Sequence, residues 1–368
     1  MQTVRGHREW ARWCWCLVLV SLLLMGSAAG LILWVDPYQI YHPIRGAPPR
    51  FNQYLQRFFV PGLARTAQYE IAIGGSSMLQ NIANSTVQRL CGAPAVNLCM
   101  AGASIHEEAE ALRLVLRHPG TKIAIFALDY NSFSGGPAGP VIGQDTVFPA
   151  YLYDDSIFDK LPYLLSFESL RTSYRFRHSP LEPGETLNAD FPWKFSDNAE
   201  FNAARAVSGI DPTAINRKYG MTNLTLELMK SGFAQNIFPL LSQTNGVKVH
   251  FLFPPYSILV WHDYAQRHQI QTYFDFKRWL VEQSARLGTF DVIDYQDRAD
   301  IITNLSLYGD IYHYNAQITE QLIQGACVGE AVLTPENFDA RTKSLLHLVK
   351  STDPVEIVKE ALASSTKR

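Results

Sequence analysis

The segment Tyr69-Glu70-Ile71-Ala72-Ile73-Gly74-Gly75-Ser76-Ser77-Met78-Leu79-Gln80-Asn81 sets the reading of the chain. A short apolar run of β character meets two glycines, then two serines, then residues of helical character. Glycine tolerates backbone angles that a side chain forbids, so the pair predicts a sharp turn. A serine just past such a turn stands at the carboxyl end of a strand and in the first turn of a helix. Open α/β sheets place their ligands at that edge, and the N–H groups of a helix start favour a developing negative charge there. The plainer reading of the same residues is a strand-to-helix turn with serine as N-cap.

The rest of the 368-residue chain bounds what such a turn could serve. It is 47% hydrophobic and 18% charged, with a formal net charge of −2. That suffices for one large domain or two ordinary ones, and it lacks the basic excess of a nucleic-acid binder. Trp13 to Val35 carries no charge over 23 residues, long enough to cross a bilayer as a helix. Arg5, Arg8 and Arg12 precede it and Asp36 follows, a bias that predicts residues 1–12 as a cytoplasmic tail and the chain beyond Asp36 outside. A cleaved signal peptide is the rival reading, since Gly26-Ser27-Ala28-Ala29-Gly30 offers small residues. Cleavage would expose Leu31-Ile32-Leu33-Trp34-Val35, so an uncleaved anchor at 13–35 is preferred. Cys91, Cys99 and Cys327 then lie outside. No metal-type Cys pair is present; a Cys91–Cys99 disulfide is an option, and three unpaired buried thiols are the preferred expectation.

Residues 36–67 are rich in Pro, Tyr, Phe and Arg without a clean period, and read as a juxtamembrane connector packed on the domain. From Tyr69 a strand–helix alternation begins. Predicted strands are 70–74, 95–100, 122–128, 247–253 and 290–295. Predicted helices are 77–90, 105–118, 222–242, 264–287 and 315–324. Lys122-Ile123-Ala124-Ile125-Phe126-Ala127-Leu128 is nearly unbroken apolar, as in a parallel sheet covered on both faces. The alternation lapses over about 132–220, where Gly and Pro cluster and Tyr151, Tyr153, Tyr163, Tyr174, Phe191, Trp193 and Phe195 recur. That stretch reads as an insertion at the carboxyl edge of the sheet. It is either a subdomain packing its own aromatics or a lid or groove on which sugar rings could stack. Residues 327–368 read as a helical extension, its second helix opened by Ser351-Thr352-Asp353-Pro354. The fold expectation is α/β: a three-layer, doubly wound, parallel five-stranded sheet with a large insertion, preceded by one transmembrane helix.

A serine hydroxyl needs a base to become a nucleophile, and the base needs a partner that sets its tautomer. Asp310-Ile311-Tyr312-His313 follows the fifth predicted strand. Its i, i+3 spacing lets the Asp310 carboxylate bond Nδ1 of His313 while Nε2 faces outward. In a parallel sheet this loop opens at the edge that holds Ser77. The oxyanion of an acyl-transfer intermediate needs donors, and the candidates are the Ser77 N–H, the Gly102 N–H and the Asn131 side chain. Ser76 remains a rival nucleophile. His106-Glu107-Glu108 lacks a second histidine for a zincin site; His262, Asp263 and His268 read as solvated helix residues. The sequons at Asn84, Asn223 and Asn304 read as chance. Gly-x-Ser-x-Gly is absent, against an α/β-hydrolase elbow.

At these residues the chain resembles the SGNH (GDSL-like) hydrolase superfamily over roughly 68–326. Gly75-Ser76-Ser77 sits where that family has Gly-Asp-Ser, with Ser76 in place of the usual Asp. Gly102 matches the second-block glycine, Asp129-Tyr130-Asn131 loosely matches Gly-x-Asn-Asp, and Asp310 to His313 matches Asp-x-x-His. The resemblance implies a flavodoxin-like domain with Ser77 as nucleophile, His313 as base, Asp310 as its orienter, Gly102 and Asn131 as oxyanion donors, and no metal or cofactor. A membrane tether with Gly-Ser-Ser is similar to the branch that acylates polymers, as in alginate O-acetylation and teichoic-acid D-alanylation. That implies O-acyl transfer, or ester hydrolysis, on a cell-surface or exported polysaccharide outside the cytoplasmic membrane, in the periplasm where there is one, beside a membrane-bound O-acyltransferase. The reading of another class is a non-catalytic glycan-binding or scaffold subunit of a polymer modification or export complex.

Overall fold

In a computed structural model, the structure describes residues 2–43, 48–141, 147–156, 158–193, 200–210 and 223–363. The first helix, α1 (Gln2–Val35), holds one stretch, Glu9–Val35, long and apolar enough to cross a membrane. Its last turn enters the domain, with Ile32 and Val35 buried. Asp36 locks the exit: its carboxylate accepts from the N–H of Ile40 (3.0 Å), Tyr41 (2.6 Å) and His42 (2.9 Å) and from the Tyr163 hydroxyl (2.8 Å). The connector is more regular than its composition suggests. It forms β1 (Phe51–Asn52) and α2 (Gln56–Thr66), a helix whose internal Pro61 hides it from a propensity reading.

The alternating region then gives β2 (Ile71–Gly74), α3 (Asn84–Cys91), β3 (Ala95–Asn97), α4 (Ile105–Arg117) and β4 (Ile123–Ala127). Between β4 and the next sheet strand lie α5 (Ala150–Tyr153), α6 (Leu161–Leu164), α7 (Phe167–His178), β5 (Glu185–Thr186) and α8 (Ala203–Ala206). Next come α9 (Leu226–Asn236), α10 (Phe238–Leu241), β6 (Lys248–Phe253), α11 (Ile258–Gln266), α12 (Ile270–Leu287) and β7 (Phe290–Asp294). The chain continues with α13 (Ala299–Ile302), α14 (Ala316–Val328), α15 (Pro335–Ser351) and α16 (Pro354–Ala363).

Five strands form one parallel sheet in the order β3-β2-β4-β6-β7. Their side chains are almost all buried, as expected of strands covered on both faces. Helices α3 and α14 pack together, while α4, α9 and α12 pack in sequence as neighbours, which makes three layers. The chain steps from β2 to β3 in one direction and from β3 to β4 in the other, so the order reverses beside β2. A crevice opens at such a reversal, at the carboxyl ends of the strands.

Several expected elements differ. The helix expected over 77–90 is a 3-10 turn, Ser77–Leu79, a break, and then α3. Asn97 causes the break: its side-chain amide donates to the carbonyls of Leu79 (3.4 Å), Gln80 (3.1 Å) and Ile82 (3.2 Å), acceptors that an α-helix would use itself. The helix expected over 264–287 is two, α11 and α12, separated at His268, which has φ +57°. The helix expected over 222–242 is α9 and α10, with Thr222 outside the described residues. His262 and Asp263 are buried rather than solvated; His262 meets the Thr352 hydroxyl at 2.8 Å and Asp263 pairs with Arg267 at 2.5 Å. Cys91 is disulfide-bonded to Cys327, neither to Cys99 nor left free, because α3 and α14 are neighbours. Cys99 is free and buried.

Within 132–220, β5 pairs antiparallel with β1 of the connector. Tyr153, Tyr163 and Trp193 are fully buried, and Trp193 packs edge-on to Phe51 and tilted against Phe59. Phe195 lies outside the described residues. Tyr153, Tyr163 and Trp193 serve as core against the connector, while Tyr151 and Phe191 are half-buried and Tyr174 is exposed.

Candidate active site

Ser77, Gly102 and Asn131 sit just beyond the carboxyl ends of β2, β3 and β4, and Asp310 and His313 lie further along the connection that follows β7. After β2, Gly75 takes φ +108°, and a Cβ there would lie 2.7–2.9 Å from atoms of Ala127. Only glycine fits between the turn and β4. The chain then enters the 3-10 turn with Ser76 as N-cap, its Oγ accepting from Met78 N–H at 3.4 Å.

Ser77 and His313 meet across the crevice. The Ser77 hydroxyl and His313 Nε2 are 2.8 Å apart, and His313 Nδ1 is 2.7 Å from Asp310 Oδ2. The carboxylate accepts from Nδ1–H, which leaves Nε2 free to accept from the serine. The other oxygen of Asp310 accepts from the N–H groups of Tyr312 and His313, each at 2.8 Å. Burial raises the Asp310 pKa, but hydrogen bonding and charge from His313 together with those N–H groups outweigh it, so the carboxyl lies below its usual range. The loop is clamped to the serine turn: the Tyr314 hydroxyl donates to Met78 O at 2.7 Å, and Gly309 N–H closes onto His313 O at 2.9 Å.

The two serines have different tasks. Ser77 Oγ faces His313 in the cleft. Ser76, 2% exposed, donates to Asp129 Oδ2 at 3.3 Å and caps the turn. Ser77, Gly102, Asn131 and His313 line one small cleft of about 170 Å³ together with Ser76, Asp129 and Tyr312. Asp310 stands behind His313. Gly102 adopts φ +60°. Among the described residues, no acceptor engages the Ser77 N–H, the Gly102 N–H or the Asn131 side-chain amide.

Several partners of these residues escaped the sequence reading. Asp129 accepts from Tyr256 OH (2.6 Å) and Asn131 N–H (3.0 Å) as well as from Ser76. It is the N-cap of the 3-10 turn that carries Asn131, and Asp before Tyr-Asn-Ser is a legible cap signal. Tyr256 is buried, which together with the Asp129 charge pushes its pKa well up and keeps its proton as a donor. His106, Glu107 and Glu108 serve three separate partners: Asn236, Arg57 and Ser132. The chain matches no protein-family model and no curated protein.

Proposed function

We propose that this protein is a serine acyl-transfer enzyme of SGNH type, held at a membrane by α1, that moves an O-acyl group onto a hydroxyl of a surface or exported polysaccharide. The observation that carries this reading is the hydrogen-bonded chain Ser77–His313–Asp310, 2.8 and 2.7 Å long, at the crevice beside β2. Ser77 Oγ attacks the acyl carbonyl while His313 Nε2 takes its proton, and Asp310 steadies the resulting imidazolium. The tetrahedral oxyanion rests on the N–H groups of Ser77 and Gly102 and on Asn131. His313 returns the proton to the departing oxygen, which leaves an acyl-Ser77 ester. It then removes a proton from the acceptor hydroxyl, which attacks the acyl carbonyl, and returns that proton to Ser77 Oγ as the acyl–Ser77 bond breaks. Water in the acceptor's place gives hydrolysis by the same steps. A cleft of about 170 Å³ favours a short acyl group such as acetyl. Two features favour a place outside the cytoplasm: the arginines that precede the apolar helix, and the Cys91–Cys327 disulfide, a bond that persists in oxidising compartments. A membrane-bound O-acyltransferase is the partner proposed to deliver the acyl group.

The test uses an activated acetyl ester and a serine-directed fluorophosphonate on wild type, Ser77→Ala, Ser76→Ala and His313→Ala. Wild type and Ser76→Ala are expected to label and turn over, and both activities should vanish in Ser77→Ala and His313→Ala. A folded wild type that neither labels nor turns over would leave the scaffold reading standing instead.

A further inference from the structure

We propose that Arg57 is a positioning residue of the oxyanion site, which makes the connector helix α2 a working part of the catalytic centre; the inference rests on the acyl-transfer reading above. Arg57 lies outside the cleft and is buried, yet its guanidinium reaches the loop after β3 from behind. Nη1 donates to Ala101 O and Nη2 to Gly102 O, each at 3.2 Å. The neighbouring Gln56 accepts from Ala101 N–H at 2.7 Å. Side chains of α2 therefore hold three consecutive peptide units, those joining Met100 to Ala101, Ala101 to Gly102, and Gly102 to Ala103.

The middle unit is the one that matters. The Gly102 N–H belongs to the same peptide as the Ala101 carbonyl, and in a trans peptide the two point in opposite directions. A donor fixed on the carbonyl from behind turns the N–H away from itself, on the side of the loop where Gly102 lines the cleft. A hydrogen bond on the carbonyl also polarises the peptide and strengthens its N–H as a donor.

The guanidinium has a second edge that holds it in place. Its Nε and Nη2 donate to the two oxygens of Glu107 at 2.7 and 2.9 Å, and Glu107 also closes a capping box with Ser104 at the start of α4. The planar fork gives the carboxylate two parallel bonds while its remaining N–H groups reach both carbonyls, a fixed geometry that a lysine ammonium does not reproduce. For stability alone, an apolar pair of the same volume would serve as well as a buried ion pair. The additional product of this arrangement is a peptide held in one orientation beside Ser77.

The test compares full-length wild type, Arg57→Lys, Arg57→Met, the paired Arg57→Met/Glu107→Met variant and Ser77→Ala, purified in detergent. The readouts are kcat and KM for 4-nitrophenyl acetate, the inhibition constant of a small alkylboronic acid that forms a tetrahedral adduct on serine, and the melting temperature. In the variants that melt as wild type does, kcat should fall about 10- to 100-fold with KM within about twofold, and boronate affinity should fall in the same proportion. The paired variant removes both charges, so it supplies a folded protein if Arg57→Met alone leaves Glu107 buried and unpaired. Folded variants that keep kcat and boronate affinity would overturn the positioning role while wild-type activity, absent from Ser77→Ala, leaves the acyl-transfer reading intact. A folded wild type no more active than Ser77→Ala would overturn that reading and this inference with it.

Discussion

Ser76 and Ser77 carry the same hydroxyl, and only their partners distinguish them. Ser77 faces an imidazole whose other nitrogen is held by a carboxylate; Ser76 faces the Asp129 carboxylate and a backbone N–H. A histidine oriented by a carboxylate therefore faces Ser77 and not Ser76. A second carboxyl behind the site behaves oppositely to Asp310. Glu108 is buried, and burial, with the Asp129 and Glu107 charges adding to it, drives its pKa well above the usual value against the opposing hydrogen bond from Ser132. The folded protein therefore holds a proton that an unfolded glutamate releases near pH 4.3. Its contribution to stability is complete below that pH and is lost as pH rises towards the folded-state value. Glu108→Gln should raise the melting temperature by about 2–4 °C at pH 8 and by less at pH 5. An equal gain at both pH values would contradict a protonated Glu108. Both serines and the Asp-x-x-His spacing were legible in sequence because local spacing sets that geometry. The bonds from Ser76 and Tyr256 to Asp129, and those of Arg57, were not, because the partners are far apart along the chain.

The elements matter through their ends. The turn after β2 works because Gly75 combines φ +108° with backbone atoms of Ala127 within 3 Å of where a Cβ would stand. Gly75→Ala should destabilise the domain by about 3 kcal/mol or more, seen as a lower urea midpoint, and should reduce fluorophosphonate labelling as the turn shifts. A variant with wild-type midpoint and labelling would show that the turn tolerates a Cβ. The strands were legible to within a few residues, since continuous apolar runs bounded by turns have few alternatives. The helix after Ser77 was not, because Asn97, on the neighbouring strand, captures its carbonyls. The α11–α12 break at His268 has no glycine or proline to announce it.

At the scale of the molecule, the two halves of the site come from positions 236 residues apart, and the helices that follow them are joined by the Cys91–Cys327 disulfide with the same separation. Helix α14 returns from β7 at one edge of the sheet to pack on α3, which leads into β3 at the other. The bond therefore staples the serine half of the chain to the histidine half. Replacing both cysteines by serine should lower unfolding free energy by about 5.5 kcal/mol in the chain-entropy account, measured by urea denaturation against the oxidised wild type. Equal midpoints would mean that the packing of α3 on α14 suffices alone. The sequence by itself determined the membrane-length apolar helix, the five alternating strands and the residue types at their carboxyl ends, because hydrophobic period and turn chemistry act over a few residues. Only the tertiary structure decided which serine faces the histidine, which cysteine partners Cys91, and that the connector reaches the Gly102 loop. Each of those depends on which distant segments the sheet order and helix layers bring within a hydrogen bond of one another, and nothing in local spacing encodes that.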